Sequence, residues 1–184
     1  MKKLIGMVLL VLLVSGSLLI AQESKFKKIA KNGTGNILFS SEKIVKDAES
    51  KSTMKTKFGS SDVIWARAYF PKKFGTLEDE AEGFMDIWID GEHVKRLAFS
   101  NKDVKPEQTQ MAIYIHNTGS DDFKDDIWGG LEKGEHKVKI VVGKTEFMKA
   151  GVAISVQGDD VVASQDDTYQ PIYLSESDFQ YTVQ

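Results

Sequence analysis

Asp62-Val-Ile-Trp-Ala-Arg-Ala-Tyr-Phe70 is the stretch that decides the fold. Its residues alternate, yet both parities are apolar apart from Arg67. Ile64, Ala66, Ala68 and Phe70 share one side; Val63, Trp65, Arg67 and Tyr69 share the other. A strand with one wet face carries polar residues on one parity. This pattern therefore predicts a central strand, covered at least partly on both faces.

The nearest partner by pattern is Gly83-Phe-Met-Asp-Ile-Trp-Ile-Asp90. Antiparallel pairing with Arg67 opposite Asp86 sets Trp65 against Trp88 and Tyr69 against Phe84 on one face. The other face then holds Ala68 with Met85, Ala66 with Ile87 and Ile64 with Ile89, and a slip by one residue would mix the two sets. Asp90-Gly91 predicts a tight hairpin, because both central positions of a type I′ turn need positive φ. The returning strand places His93 beside Trp88, Lys95 beside Asp86 and Leu97 beside Phe84. Three rows follow: Trp65–Trp88–His93, Arg67–Asp86–Lys95 and Tyr69–Phe84–Leu97. Arg96 lands on the apolar side in this scheme, so a bulge near Lys95–Leu97 is expected, turning Leu97 and Phe99 inward.

Working outward, strands are expected at 36–40, 54–58, 111–116, 131–142 and 151–157. Short strands or a docked tail are expected at 171–174 and 179–183. Residues 121–131 read as a short helix, with Phe123, Ile127, Trp128 and Leu131 on one side and aspartates at its start. Residues 158–168 read as an acidic loop. Many short strands with polar connections predict an all-β protein, an antiparallel two-sheet sandwich of immunoglobulin-like or jelly-roll-like type with at most one short helix. Within it, Leu131-x-x-Gly134-x-His136-x-Val138-x-Ile140 resembles the corner where a loop re-enters the sheet in immunoglobulin-like and fibronectin-like domains. There an aromatic residue often stands where His136 stands here. The resemblance covers about a dozen residues and implies a Greek-key sandwich and no activity.

The N-terminus has the order of a secretory signal peptide: Lys2 and Lys3, a leucine-rich apolar run, then Leu18-Leu-Ile-Ala21. Cleavage is expected after Ala21, with an uncleaved anchor as the rival. Residues 1–21 are thus read as the leader, 22–35 as a flexible lead-in and 36–184 as the β-domain, exported to a periplasmic, cell-surface or extracellular address with no membrane span after cleavage. The chain has no cysteine, which excludes disulfides, thiolate metal sites and cysteine nucleophiles. Loss of Lys2 and Lys3 with the leader takes the formal charge from −3 to −5. That acidity, without a basic stripe, argues against nucleic acid as a partner.

No catalytic residue is assigned from motifs, since neither a nucleophile elbow, a phosphate loop nor a metalloprotease helix occurs. His93, His116 and His136 fall on separate strands, and no local spacing supports a shared metal site. For His136 a hydrogen bond at the loop corner is the expected role. No cofactor is expected. Acidic runs at 78–82, 121–126 and 159–167 lack the order of a helix–loop–helix calcium site and read as solvated loops. The candidate ligand-binding residues are Trp65, Arg67, Tyr69, Asp86, Trp88 and His93. Stacking rings with fixed charges suit a glycan or a protein ligand, and the same rings would equally serve as covered core. The expectation is a non-enzymatic binding or structural module. The alternatives are a carbohydrate-binding module using the aromatic face, and a secreted hydrolase using acidic loop residues; a carboxylate pair such as Asp86 and Asp90 suits glycoside hydrolysis, but Asp86 is expected to pair with Arg67 and Lys95.

Overall fold

The computed structural model describes residues 25–78, 81–115, 127–157 and 160–184, and between 148 and 168 it describes the backbone alone. The described chain is all-β. Its strands are β1 (Gly35–Ser40), β2 (Lys57–Gly59), β3 (Ile64–Tyr69), β4 (Gly83–Ile89), β5 (Glu92–Phe99), β6 (Gln110–Ile115), β7 (Gly134–Gln157) and β8 (Asp160–Val183). A single 3-10 turn, Glu49–Lys51, interrupts them. The strands lie in one hydrogen-bonded sheet of order β5-β4-β7-β8-β1-β3-β6, with β2 paired to β8. That sheet curls into a half-barrel, where two separate stacked sheets had been expected.

The curl depends on β1, which changes partner along its length. Gly35 and Asn36 run parallel to Ser175 and Glu176 of β8, whereas residues 37–40 run antiparallel to β3. Gly35 sits at the change, and a Cβ there would collide with the carbonyl of Tyr69. The concave side collects the core: Ile37 and Phe39 of β1, Ile64, Ala66 and Ala68 of β3, Met85, Ile87 and Ile89 of β4, Ile113 and Ile115 of β6, Val138, Ile140 and Val142 of β7, and Phe179 and Tyr181 of β8. The inward sets Met85, Ile87 and Ile89 of β4 and Val138, Ile140 and Val142 of β7 read from the sequence are those observed in the core. The helix expected at 121–131 falls largely outside the described residues. Of its apolar set, Ile127 and Trp128 are buried and Leu131 packs against the core.

The expected β3–β4 pairing does not form. β3 lies between β1 and β6, and three strands separate it from β4. The three cross-strand rows built on that register are therefore broken, and Arg67 does not meet Asp86. Both strands have one apolar parity and one mixed parity, so the pattern that matched them to each other matches either of them to several partners. The β4–β5 hairpin forms as read: Asp90 and Gly91 have φ of 52° and 92°, and Trp88 stands opposite His93. A bulge at Val94 shifts the register so that Leu97 meets Met85 and turns toward the core. The same bulge brings Arg96 opposite Asp86, in place of Lys95.

β7 and β8 were expected as several short strands with an acidic loop between them. They form instead a ribbon of two 24-residue strands, paired from Gly134–Val183 to Gln157–Asp160. β4 accompanies β7 only as far as Lys144, and β1 accompanies β8 only from Ser175. Beyond these points the ribbon extends alone for some 13 residues, about 40 Å at ~3.3 Å per residue.

Candidate functional site

The six candidate residues divide between two places. Arg67 and Tyr69 are buried beneath the segment that precedes and includes the 3-10 turn. Arg67 donates through Nε and Nη2 to the carbonyl of Ile44 and through Nη1 to Gln110 Oε1. Tyr69 donates its hydroxyl to Glu49 Oε1 at 2.6 Å. These are structural bonds that satisfy polar groups inside the fold, and they take both residues out of the candidate surface. Trp65 packs its ring against exposed Tyr114 of β6 at 4.3 Å, on the same side sheet as Arg67.

Asp86, Trp88 and His93 lie together on the convex face of β4 and β5. Asp86 is almost wholly buried, and Arg96 grips it with both arms: Nε to Oδ1 and Nη2 to Oδ2, each 2.7 Å. His93 Nε2 adds a contact of 3.2 Å to Oδ1. Burial pushes the Asp86 carboxyl upward, but hydrogen bonds from Arg96 and His93 outweigh it and hold the group below 3.8. The Asp86 carboxylate in turn raises the Arg96 guanidinium above its ordinary value. His93 packs its edge against Trp88, with ring centroids 5.0 Å apart.

Beneath Arg96 lies Phe84, which points to the convex side and is nevertheless fully buried. Two neighbours explain this. The Arg96 guanidinium stacks 4.0 Å from the Phe84 centroid. Tyr173 of β8 meets the ring at 86°, 6.0 Å away. The ring can lie across β7 only because residue 143 is glycine, where a Cβ would fall 2.5 Å from Phe84 Cζ and 2.5 Å from the carbonyl of Ile172. Next along the face, Lys139 pairs with Glu176 at 2.6 Å and Lys137 with Asp178 at 2.7 Å. Glu176 also accepts from Asn32 at 3.0 Å. Phe84 was placed on this face by the sequence, but Arg96 and Tyr173 were not among its candidates. The straight register put Arg96 on the apolar side, with a bulge expected to correct it, and Tyr173 sat in a segment read as a short strand or docked tail. The Asp90-Gly91 hairpin followed by His93 was the signal that could have found Arg96, had the bulge been placed at Val94.

At the end of the hairpin, His136 faces two acceptors: Asp90 Oδ2 at 2.8 Å from Nδ1 and the Glu132 carbonyl at 2.8 Å from Nε2. Asp90 Oδ1 also accepts the backbone N–H of Lys137. The corner bond expected of His136 is therefore present. The Glu132 carbonyl foremost, and then Asp90, hold its imidazole above 6.5. Asp90 is thus occupied in tying the hairpin to β7. Among the described residues, no three histidine or acidic side chains gather as a metal site requires, and no helix is long and apolar enough to cross a membrane.

Fold and face together define an all-β half-barrel that carries an aromatic and charged surface on its convex side. Comparison with known proteins gives no relative: no family model, no curated protein and no solved structure matches the chain.

Proposed function

We propose that this is an exported, non-enzymatic binding module of the cell envelope or extracellular space, and that the convex face of β5-β4-β7-β8 is its binding surface. The observation that carries the reading is the clamp Asp86–Arg96 over Phe84, against which His93 and Tyr173 pack, with Trp88 in turn packed on His93. Preordered aromatic side chains bind at little cost in conformational entropy. Asp86, Asp90 and Glu176 are each held by donors that keep the charged form, which does not suit these three to the general-acid role. Export is supported by the N-terminal sequence pattern. In fold terms we read the half-barrel as a sandwich opened along β1, supported by the way that strand passes from β8 to β3.

Co-sedimentation of the protein with insoluble envelope and extracellular polymer from its native host tests this. The expected result is that the wild type sediments and that Trp88→Ala with His93→Ala, still melting cooperatively, loses at least tenfold in affinity. Equal sedimentation of the variant would place the binding surface elsewhere.

A further inference from the structure

The strand register extends the face beyond Trp88. Phe84 pairs with Gly143, and Gly143 with Tyr173. Counting by twos along the ribbon, Thr145 and Phe147 of β7 and Pro171 and Tyr169 of β8 fall on the same face as Phe84 and Trp88. Tyr173 is 49% exposed and Phe147 38%, unusual values for large rings. Phe147 and Tyr169 stand edge to face at 5.7 Å, and Tyr173 is steadied by Phe84. Tyr173 and Tyr169 are four residues apart on one strand, or about 13 Å. The result is a ring-lined track running from the barrel onto the ribbon, with Tyr173 at one position and the cross-strand pair Phe147 and Tyr169 further along.

We infer that this track binds a neutral, linear polysaccharide whose pyranose rings pack on Tyr173 and on the Phe147–Tyr169 pair; the inference rests on the convex face being the binding surface proposed above. A chain of pyranoses with equatorial hydroxyls presents apolar C–H faces to aromatic rings and hydroxyls at its edges. Two ring positions spaced along one strand direction, Tyr173 and then the Phe147–Tyr169 pair, match such a repeating chain better than a compact ligand. The charges beside the track are arranged as pairs, Asp86 with Arg96, Lys139 with Glu176 and Lys137 with Asp178. A cation already matched by its own carboxylate offers little to a polyanion, whereas carboxylate lone pairs and the tyrosine hydroxyls can still meet sugar hydroxyls.

Native gels cast with hydroxyethyl cellulose, with carboxymethyl cellulose, or with no polymer test the class of ligand, since the first two share a backbone and differ in charge. The wild type is expected to be retarded by the neutral polymer and much less by the anionic one. Tyr173→Ala and Phe147→Ala should each weaken retardation about fivefold or more, while Tyr173→Phe, which keeps the ring, and Trp65→Ala, which lies off the track, should behave as wild type. Retardation by the anionic polymer alone, or equal retardation of Tyr173→Ala, would overturn the inference. If Trp88-dependent sedimentation with host polymer persists while neither cellulose derivative retards the protein, the ligand class is wrong and the binding face stands. If both assays are blank, the face itself is wrong.

Discussion

Arg96 is the residue on which the convex face turns. It neutralises a carboxylate that the fold buries, and its guanidinium roofs a phenylalanine that would otherwise meet water. Arg96→Ala removes two charge-assisted hydrogen bonds, partly screened because Arg96 is itself half open to solvent. The expected cost is about 1.5–3 kcal/mol in a urea melt. The pH profile follows from Asp86. Its pKa is depressed in the fold, so its contribution is complete above the ordinary value of 3.8 and is lost as pH falls through the folded value. The variant should therefore show a shallower loss of stability on the acid side than the wild type. His136 acts in the opposite sense. Its pKa is raised, so its contribution is complete below about pH 6.5 and is lost as pH rises through the folded value. The urea midpoint of the wild type should decline relative to His136→Gln as pH rises beyond about 6.5, and parallel profiles would mean that His136 is not held as a charged donor. Trp88, His93 and Asp86 could be read from the sequence because a two-residue turn fixes their neighbours. Arg67 could not be placed, because the Ile44 carbonyl that satisfies it comes from a segment with no periodic signal, and Gln110 comes from β6, which alternation alone does not assign to β3.

At the level of elements, local pairings were legible and distant ones were not. Asp90-Gly91 dictates β4–β5. Nothing in β3 and β4 distinguishes each other from β1, β6 or β7, since all present alternate apolar residues to one core. The ribbon was hidden for another reason. Residues 158–168 are acidic and short of large apolar side chains, so they lack the alternation by which strands are recognised. β7 and β4 depend on Gly143 for their contact. Gly143→Ala places a methyl against the Phe84 ring and the Ile172 carbonyl, and should cost about 1–3 kcal/mol by overpacking. A denaturation midpoint unchanged from wild type would mean that Phe84 does not lie across β7. Ile87, fully buried at the centre of β4, should lose about 2–5 kcal/mol on replacement by alanine.

Across the whole molecule, one sheet supplies both a core and a surface, and β8 joins its two halves: it pairs with β7, with β1 and with β2. Removing residues 179–184 deletes Phe179 and Tyr181 from the core together with the partner of β2, and the chain is expected to lose cooperative unfolding altogether. The division of the molecule into an inner and an outer side can be read with its three tryptophans. Trp88 reports the convex track, Trp65 the β3–β6 side and Trp128 the core beside Tyr181. The most direct measurement is the indole N–H region of a ¹H–¹⁵N spectrum during titration with hydroxyethyl cellulose. The Trp88 signal should shift and saturate while those of Trp65 and Trp128 stay in place; movement of Trp65 with Trp88 unmoved would contradict the assignment of the convex face as the binding surface.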